Sequence, residues 1–143
     1  MKITIVSSMS SPEFAKRVLE IANELETQGH QVQAPFETEG ILSGEENNNW
    51  WKEENLEFER TRRLEFLNLI KDTDAILVTN FEKNGIPGYI GGSVLMEMTI
   101  GLYHNKEIYL LNPLPDEKDL KHVQEIKLMK PKVINGNLAE IWS

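Results

Sequence analysis

The chain has 143 residues, of which 40% are hydrophobic and 27% are charged, so we expect one folded domain over residues 1–143. Its net charge of −8 repels phosphates, and we expect no nucleic-acid polymer as a partner. The absence of cysteine excludes disulfides, thiolate nucleophiles and cysteine-based zinc sites. No apolar run has the length of a membrane span or the form of a signal peptide, and we expect a cytoplasmic protein without membrane contact.

The first part of the chain alternates strand and helix patterns. The β-branched run Lys2–Val6 predicts the first strand, and a serine-rich turn leads into a helix that begins at Pro12 and ends before Gly29. Residues 30–35 predict a second strand. Residues 36–49 are rich in glycine and asparagine and predict a loop, whose length favours a lid or a binding role.

A long helix is predicted from Trp50 to about Lys71, with an apolar stripe formed by Trp51, Leu56, Leu64, Leu67 and Ile70. The arginines of this helix stand among glutamates, which favours a solvated, salt-bridged face at Arg60, Arg62 and Arg63. The adjacent tryptophans at its start suit either a cover for a ligand crevice or a subunit interface, and the sequence favours neither.

The second part begins with the clearest strand, Asp74–Thr79, whose continuous apolar character is typical of a parallel strand buried on both faces. A loop over residues 80–92 follows, and Ser93 is predicted to cap a helix from Val94 to about His104. The remaining patterns predict a strand at 107–111, a helix at 116–129 and a last strand at 132–134.

This alternation predicts an α/β fold with a doubly wound, five-stranded parallel sheet and helices on both faces. The commonest order for five such strands is the flavodoxin-like order 2-1-3-4-5. In that order the first and third strands are neighbours whose connections leave to opposite faces, so a ligand crevice opens at their carboxyl ends. Residues 7–12 and 80–93, the two most polar and turn-like stretches, would line this crevice.

The serine turn after the first strand is a candidate anion site. Small residues let a ligand approach the backbone closely, and the amides at a helix N-terminus attract negative charge. The hydroxyls of Ser7, Ser8 and Ser10 are further potential donors. The turn has no P-loop lysine and no Gly-x-Gly-x-x-Gly pattern, and a capped turn without a ligand is equally consistent with it.

The loop before the third predicted helix is the second candidate element. Gly88, Gly91 and Gly92 indicate unusual backbone torsions or the close approach of a ligand. Between them, Tyr89 and Ile90 are predicted to form a flat wall for a base or a sugar ring.

Glu97 is the candidate catalytic residue. It lies about one turn into the predicted helix, where the helix dipole favours an ionised carboxylate. Such a carboxylate suits attack on the anomeric carbon of a sugar, whose transition state carries oxocarbenium charge. The alternative interpretation is a surface glutamate that only stabilises the helix.

Five segments carry a resemblance to a known family: Lys2–Met9, Asp74–Asn80, Gly88–Ser93, Met96–Met98 and Lys106–Pro113. Together they resemble the nucleoside 2-deoxyribosyltransferase superfamily, which includes 2'-deoxynucleoside 5'-phosphate N-hydrolases. The resemblance implies a flavodoxin-like fold, Glu97 as the nucleophile and a covalent 2-deoxyribosyl intermediate that water or a second base resolves. It also implies a homo-oligomer, a dimer or larger, in which a neighbouring subunit completes each site. The family's assisting aspartate would fall near Arg63, and Glu59 or Glu65 is a candidate substitute.

The resulting hypothesis is N-glycosidic bond cleavage or 2-deoxyribosyl transfer on a deoxynucleoside or its 5'-monophosphate. The predicted substrate-binding residues are Ser7, Ser8, Met9, Ser10, Asn80, Tyr89, Gly91, Gly92 and Ser93. We expect no cofactor and no metal, since the three histidines lack metal-ligand spacing. The alternatives are a non-catalytic nucleotide-binding or sensing module on the same fold, and an interaction protein whose contact surface is the tryptophan-bearing helix.

Overall fold

The computed structural model describes residues 1–46, 49 and 51–142. The strands are β1 Lys2–Val6, β2 Gln31–Gln33, β3 Ala75–Val78, β4 Glu107–Leu110 and β5 Lys132–Val133. The helices are α1 Pro12–Thr27, α2 Thr38–Ser43, α3 Leu56–Lys71, α4 Gly92–Tyr103 and α5 Val123–Leu128. Short 3-10 turns occupy Glu53–Asn55 and Leu138–Trp142. Within these described residues, no helix is long and apolar enough to cross a membrane.

The five strands are parallel and form one sheet in the order β2-β1-β3-β4-β5. The predicted fold class and strand order are therefore confirmed. Ile5 of β1 pairs with Leu77 of β3, and Val6 pairs with Val78. Because the two strands end side by side, the segments that follow them leave from the same edge of the sheet.

Two hydrophobic cores cover the two faces of the sheet. Consecutive residues of β3 point to opposite faces, so Leu77 packs in the core of α1 whereas Ile76 packs in the core of α3, α4 and α5. Both side chains are fully buried, and each such burial stabilises the fold by about 1.5–3 kcal/mol. The predicted placement of helices on both faces is confirmed.

The prediction of a loop over residues 36–49 is wrong, because residues 38–43 form α2. At its start the Thr38 hydroxyl donates a hydrogen bond of 2.6 Å to the Pro35 carbonyl, and Ile41 is buried in the α1 core. One apolar anchor in six residues produces no periodicity, which is why the helix was not predicted. The helix predicted from Trp50 begins at Leu56, and Trp50 itself lies outside the described residues.

Other predicted boundaries also change. The helix α4 begins at Gly92, with extended Gly91 as its N-cap, so the prediction that Ser93 caps it is wrong. The helix predicted over 116–129 is shortened to Val123–Leu128, because Asp116 accepts a bond from the Lys118 amide and forms a turn. The second strand covers only residues 31–33 of the predicted 30–35.

Candidate active site

A cavity of about 250 Å³ opens where β1 and β3 end. Four segments form its walls: the serine turn after β1, the chain that runs from β2 through α2 to Glu46, the inner face of α3, and the loop that leads into α4 with the first two turns of α4. These are the carboxyl ends of neighbouring strands whose connections diverge, which is where open α/β sheets bind ligands. The volume suits a small molecule.

Most of the predicted site residues meet at this cavity. Its lining includes Ser7, Ser8, Met9, Tyr89, Gly91, Gly92, Ser93 and Glu97. Ser10 and Asn80 lie outside the lining. Ile90 is 1% exposed and packs in the sheet core, so the flat wall predicted for Tyr89 and Ile90 consists of Tyr89 alone.

Asn80 supports the loop rather than lining the cavity. It is 2% exposed, and its side-chain oxygen accepts a bond from the Asn112 amide at 2.9 Å. Its Nδ2 donates to the Asn112 carbonyl at 2.8 Å and to the Gly88 carbonyl at 3.4 Å. Gly88 has φ of 71°, and a Cβ there would overlap the Pro113 carbonyl oxygen. These contacts fix the path of the loop that presents Tyr89.

Glu97 projects from the second turn of α4 into the cavity wall and is 7% exposed. Burial raises the pKa of Glu97 to about 8, an effect that the positive charge of Arg63 opposes and the negative charge of Glu37 reinforces. The sequence predicted an ionised carboxylate because of the helix dipole. That prediction is wrong at neutral pH, because the cost of desolvating the charge is the larger effect.

The first half of α3 supplies site residues that the sequence analysis missed. The apolar stripe predicted there is confirmed for Leu67 and Ile70, which pack in or against the core, and wrong for Trp51, Leu56 and Leu64, which are exposed. The inner face carries Phe66 and Ile70 in its second half and Glu59, Arg62 and Arg63 in its first half. The polar residues of the first half continue the buried face of the second half at helical spacing. This continuation was the feature of the sequence that could have placed them at the cavity.

Arg62 connects α3 to the segment that follows α2 at the rim of the cavity. One guanidinium nitrogen lies 2.7 Å from the Glu46 carboxylate, and the other lies 2.8 and 3.1 Å from the two oxygens of Glu59. Arg63 instead donates a bond of 3.5 Å to the Ser93 hydroxyl. The predicted salt bridges are therefore confirmed for Arg62. The prediction of a solvated face holds for Arg60, which is exposed, but not for Arg62 and Arg63, which line the cavity.

The candidates for an assisting acid differ in whether they line the cavity and whether they are ion-paired. Glu65 is exposed and outside the cavity lining, and Glu59 is ion-paired with Arg62. Glu37, which precedes α2, lines the cavity and forms no ion pair with a described residue. Burial raises the pKa of Glu37, opposed by its own backbone amide and by Arg62. The sequence analysis did not single out Glu37.

Lys83 places a positive charge at the serine turn. Its Nζ donates to the Ser8 hydroxyl at 3.1 Å and lies 5.6 Å from the centre of the Tyr89 ring. All three residues line the cavity. The predicted anion site therefore includes a lysine that comes from the β3–α4 loop rather than from the turn itself.

The comparisons with known proteins bear on the fold. No protein-family model matches the sequence, and no curated protein matches it significantly. Among solved structures, the chain is similar to a 2-deoxyribosyltransferase from the psychrotolerant bacterium Bacillus psychrosaccharolyticus, with a TM-score of 0.56 and 20% sequence identity over 81% of this chain and 75% of that chain. The chain therefore has the fold of a 2-deoxyribosyltransferase, as the resemblance of its sequence segments implied.

Proposed function

We propose that the chain is an enzyme that cleaves the N-glycosidic bond of a deoxynucleoside or its 5'-monophosphate and passes the 2-deoxyribosyl group to water or to a second base. One observation carries the proposal: a buried carboxylate, Glu97, lies in the cavity at the carboxyl ends of β1 and β3. The fold shared with a 2-deoxyribosyltransferase supports the same reaction class.

In this reaction Glu97 is the nucleophile. Its carboxylate oxygen attacks C1' of the sugar while the bond from C1' to the base nitrogen breaks, and a covalent 2-deoxyribosyl ester forms. The transition state carries positive charge on the sugar, which an adjacent carboxylate stabilises. Low exposure of Glu97 strengthens this electrostatic effect, because little water screens it.

The other predicted residues would hold the substrate. The hydroxyls of Ser7 and Ser8, with Lys83, would bind the 5' end of the sugar, and a phosphate there would gain a charge-assisted hydrogen bond from Lys83. The Tyr89 ring would pack against the base or the sugar, and the open backbone at Gly92 would let the ligand approach α4.

The test compares the natural chain with Glu97→Gln, which keeps the shape of the side chain and removes its charge. Base release from a panel of deoxynucleosides and their 5'-monophosphates is followed by chromatography. We expect Glu97→Gln to lower the rate by about 10³-fold or more, since the nucleophile is lost. The exposed Glu57→Gln on α3 is the matched control and should keep the full rate. Equal turnover by Glu97→Gln would remove Glu97 from the mechanism.

The second candidate function is a non-catalytic nucleotide-binding or sensing module. The raised pKa of Glu97 favours it, because a protonated carboxyl is a poor nucleophile. The resemblance also calls for an assisting aspartate near Arg63, and this chain has no aspartate there, which favours the second function as well. A rise in melting temperature with a nucleotide, without any product in the same sample, would select this function.

We also propose that the chain forms a homo-oligomer. Large apolar side chains are exposed on and next to α3 and α4, among them Trp51, Phe58, Met96 and Tyr103. Tryptophan and tyrosine are enriched where subunits meet, and covering these side chains would remove apolar surface from water. Light scattering after size-exclusion chromatography measures the mass directly, and a monomer at micromolar concentration would contradict this proposal.

A further inference from the structure

Four glutamates line the cavity, and they fall into two classes. Glu46 and Glu59 are both ion-paired with the Arg62 guanidinium at 2.7 and 2.8 Å. Glu37 and Glu97 form no ion pair with any described residue. A carboxylate held by an arginine is committed to its ionised form, so only the second class can give or take a proton readily.

Glu37 and Glu97 enter the cavity from different elements. Glu97 comes from α4, on the face of the sheet covered by α3 and α5, whereas Glu37 immediately precedes α2, which packs against α1. Arg62 and Arg63 of α3 are the cations near Glu37, and Glu46 is the nearby anion. The two carboxyl groups therefore reach the same cavity from different elements, where both can contact one substrate.

We propose that Glu37 is the general acid and general base of the glycosidic reaction, with Glu97 as its nucleophilic partner. This inference rests on the function proposed above and assigns the proton transfers that the reaction needs. Glycosidic bonds are commonly broken by such carboxyl pairs, in which one group attacks the sugar and the other serves the leaving group.

The two steps balance as follows. As the Glu97 oxygen forms its bond to C1', the electron pair of the C1'–N bond moves to the base nitrogen, which takes the proton from the Glu37 carboxyl. In the second step a water oxygen forms a bond to C1', Glu37 accepts the proton of that water, and the electron pair of the ester bond returns to Glu97. Glu37 is then protonated again for the next cycle.

The two carboxyls titrate as a coupled pair. Burial raises the pKa of both, and the Glu37 charge further raises that of Glu97. The pair therefore keeps a proton near neutral pH, and this proton lies mainly on Glu97. The reacting form is the one in which Glu37 holds the proton and Glu97 is ionised, so the proton passes from Glu97 to Glu37 before C1' is attacked.

The experiment compares two leaving groups in single-turnover base release. The base of 2'-deoxyguanosine must be protonated as it leaves, whereas that of 7-methyl-2'-deoxyguanosine already carries a positive charge and departs as a neutral molecule. We expect Glu37→Gln to slow release from the first substrate by about 100-fold or more and to leave release from the second within a few-fold of the natural chain. A structural role of Glu37 would slow both substrates equally and would overturn the inference.

Control variants separate this inference from the proposed function. The exposed Glu39→Gln in α2 should keep the full rate on both substrates, whereas Glu97→Gln should be inactive on both. If Glu97→Gln is inactive while Glu37→Gln keeps its rate on 2'-deoxyguanosine, the inference fails and the proposed function stands. If the natural chain releases no base from any nucleoside or nucleotide, the proposed function fails and the inference fails with it.

Discussion

The guanidinium of Arg63 donates a hydrogen bond of 3.5 Å to the hydroxyl of Ser93. This contact joins the inner face of α3 to the first turn of α4, one turn before Glu97. It holds a permanent positive charge near a buried carboxyl, and this charge lowers the pKa of Glu97 against the larger effect of burial. Arg63 therefore favours the ionised form of Glu97, although burial has the larger effect on its pKa.

We predict a bell-shaped pH profile of kcat/KM with its alkaline limb near pH 8. The active state of the carboxyl pair holds one proton, and the pKa of about 8 for Glu97 marks the loss of that proton. The positive charge of Arg63 lowers the pKa of both Glu37 and Glu97. Arg63→Met removes this charge, so both pKa values should rise and both limbs should move to higher pH. Arg60→Met, on the exposed side of α3, should leave the profile unchanged. A rate that is constant between about pH 6 and pH 9 would contradict a role for these carboxyls.

The free energy of unfolding should fall as the pH rises from about 4.5 to about 8. In the folded chain Glu97 keeps its proton up to about pH 8, whereas in the unfolded chain it releases it near its ordinary pKa of 4.5. The folded state therefore binds more protons in this window, and the stabilisation present below pH 4.5 is lost as the pH rises, by at most about 1.4 kcal/mol per pH unit. Urea denaturation at several pH values measures this slope. Glu97→Gln should have a shallower slope, and parallel slopes for the two proteins would contradict the burial of a neutral Glu97.

Asn80→Ala should lower the free energy of unfolding by about 1–3 kcal/mol, because it removes the buried side chain that pairs with the partly buried Asn112 amide and carbonyl. Asn68→Ala, at an exposed position of α3, is the matched control and should change stability by less than about 0.5 kcal/mol. Chemical denaturation measures both variants. If Asn80→Ala is as stable as the natural chain but binds nucleotides more weakly, Asn80 contacts the ligand, as the sequence analysis predicted.

Lys83→Met should distinguish a 5'-monophosphate from a free nucleoside as the substrate. The Lys83 ammonium lies 3.1 Å from the Ser8 hydroxyl, in the turn that precedes the N-terminus of α1. A phosphate bound there would accept a charge-assisted hydrogen bond from Lys83. Removing it should raise KM for the monophosphate by about 10-fold or more and change KM for the nucleoside much less. The exposed Lys71→Met serves as the control for net charge. An equal change in both KM values would show that Lys83 does not contact the phosphate.

The fold and the position of the cavity were predictable from the sequence for a physical reason. The continuous apolar run of β3 and the alternation of strands with helices demand a parallel sheet covered on both faces. A parallel sheet in this order has its ligand crevice where β1 and β3 end. The serine turn follows β1 directly, and the segment from Tyr89 to Glu97 follows β3 after a loop of ten residues, so their meeting follows from the strand order.

The charged half of the cavity was decided by tertiary structure alone. Arg62 and Arg63 have the same pattern as a solvated helix face, and only the packing of α3 against α4 turns them inward. Glu37 belongs to a stretch that reads as a loop, and its place beside the cavity depends on α2 packing against α1. The protonation of Glu97 likewise depends on desolvation, which is a property of the whole packed site rather than of local sequence. Periodicity along the chain determines which elements form, but it carries no record of which distant charges share a cavity.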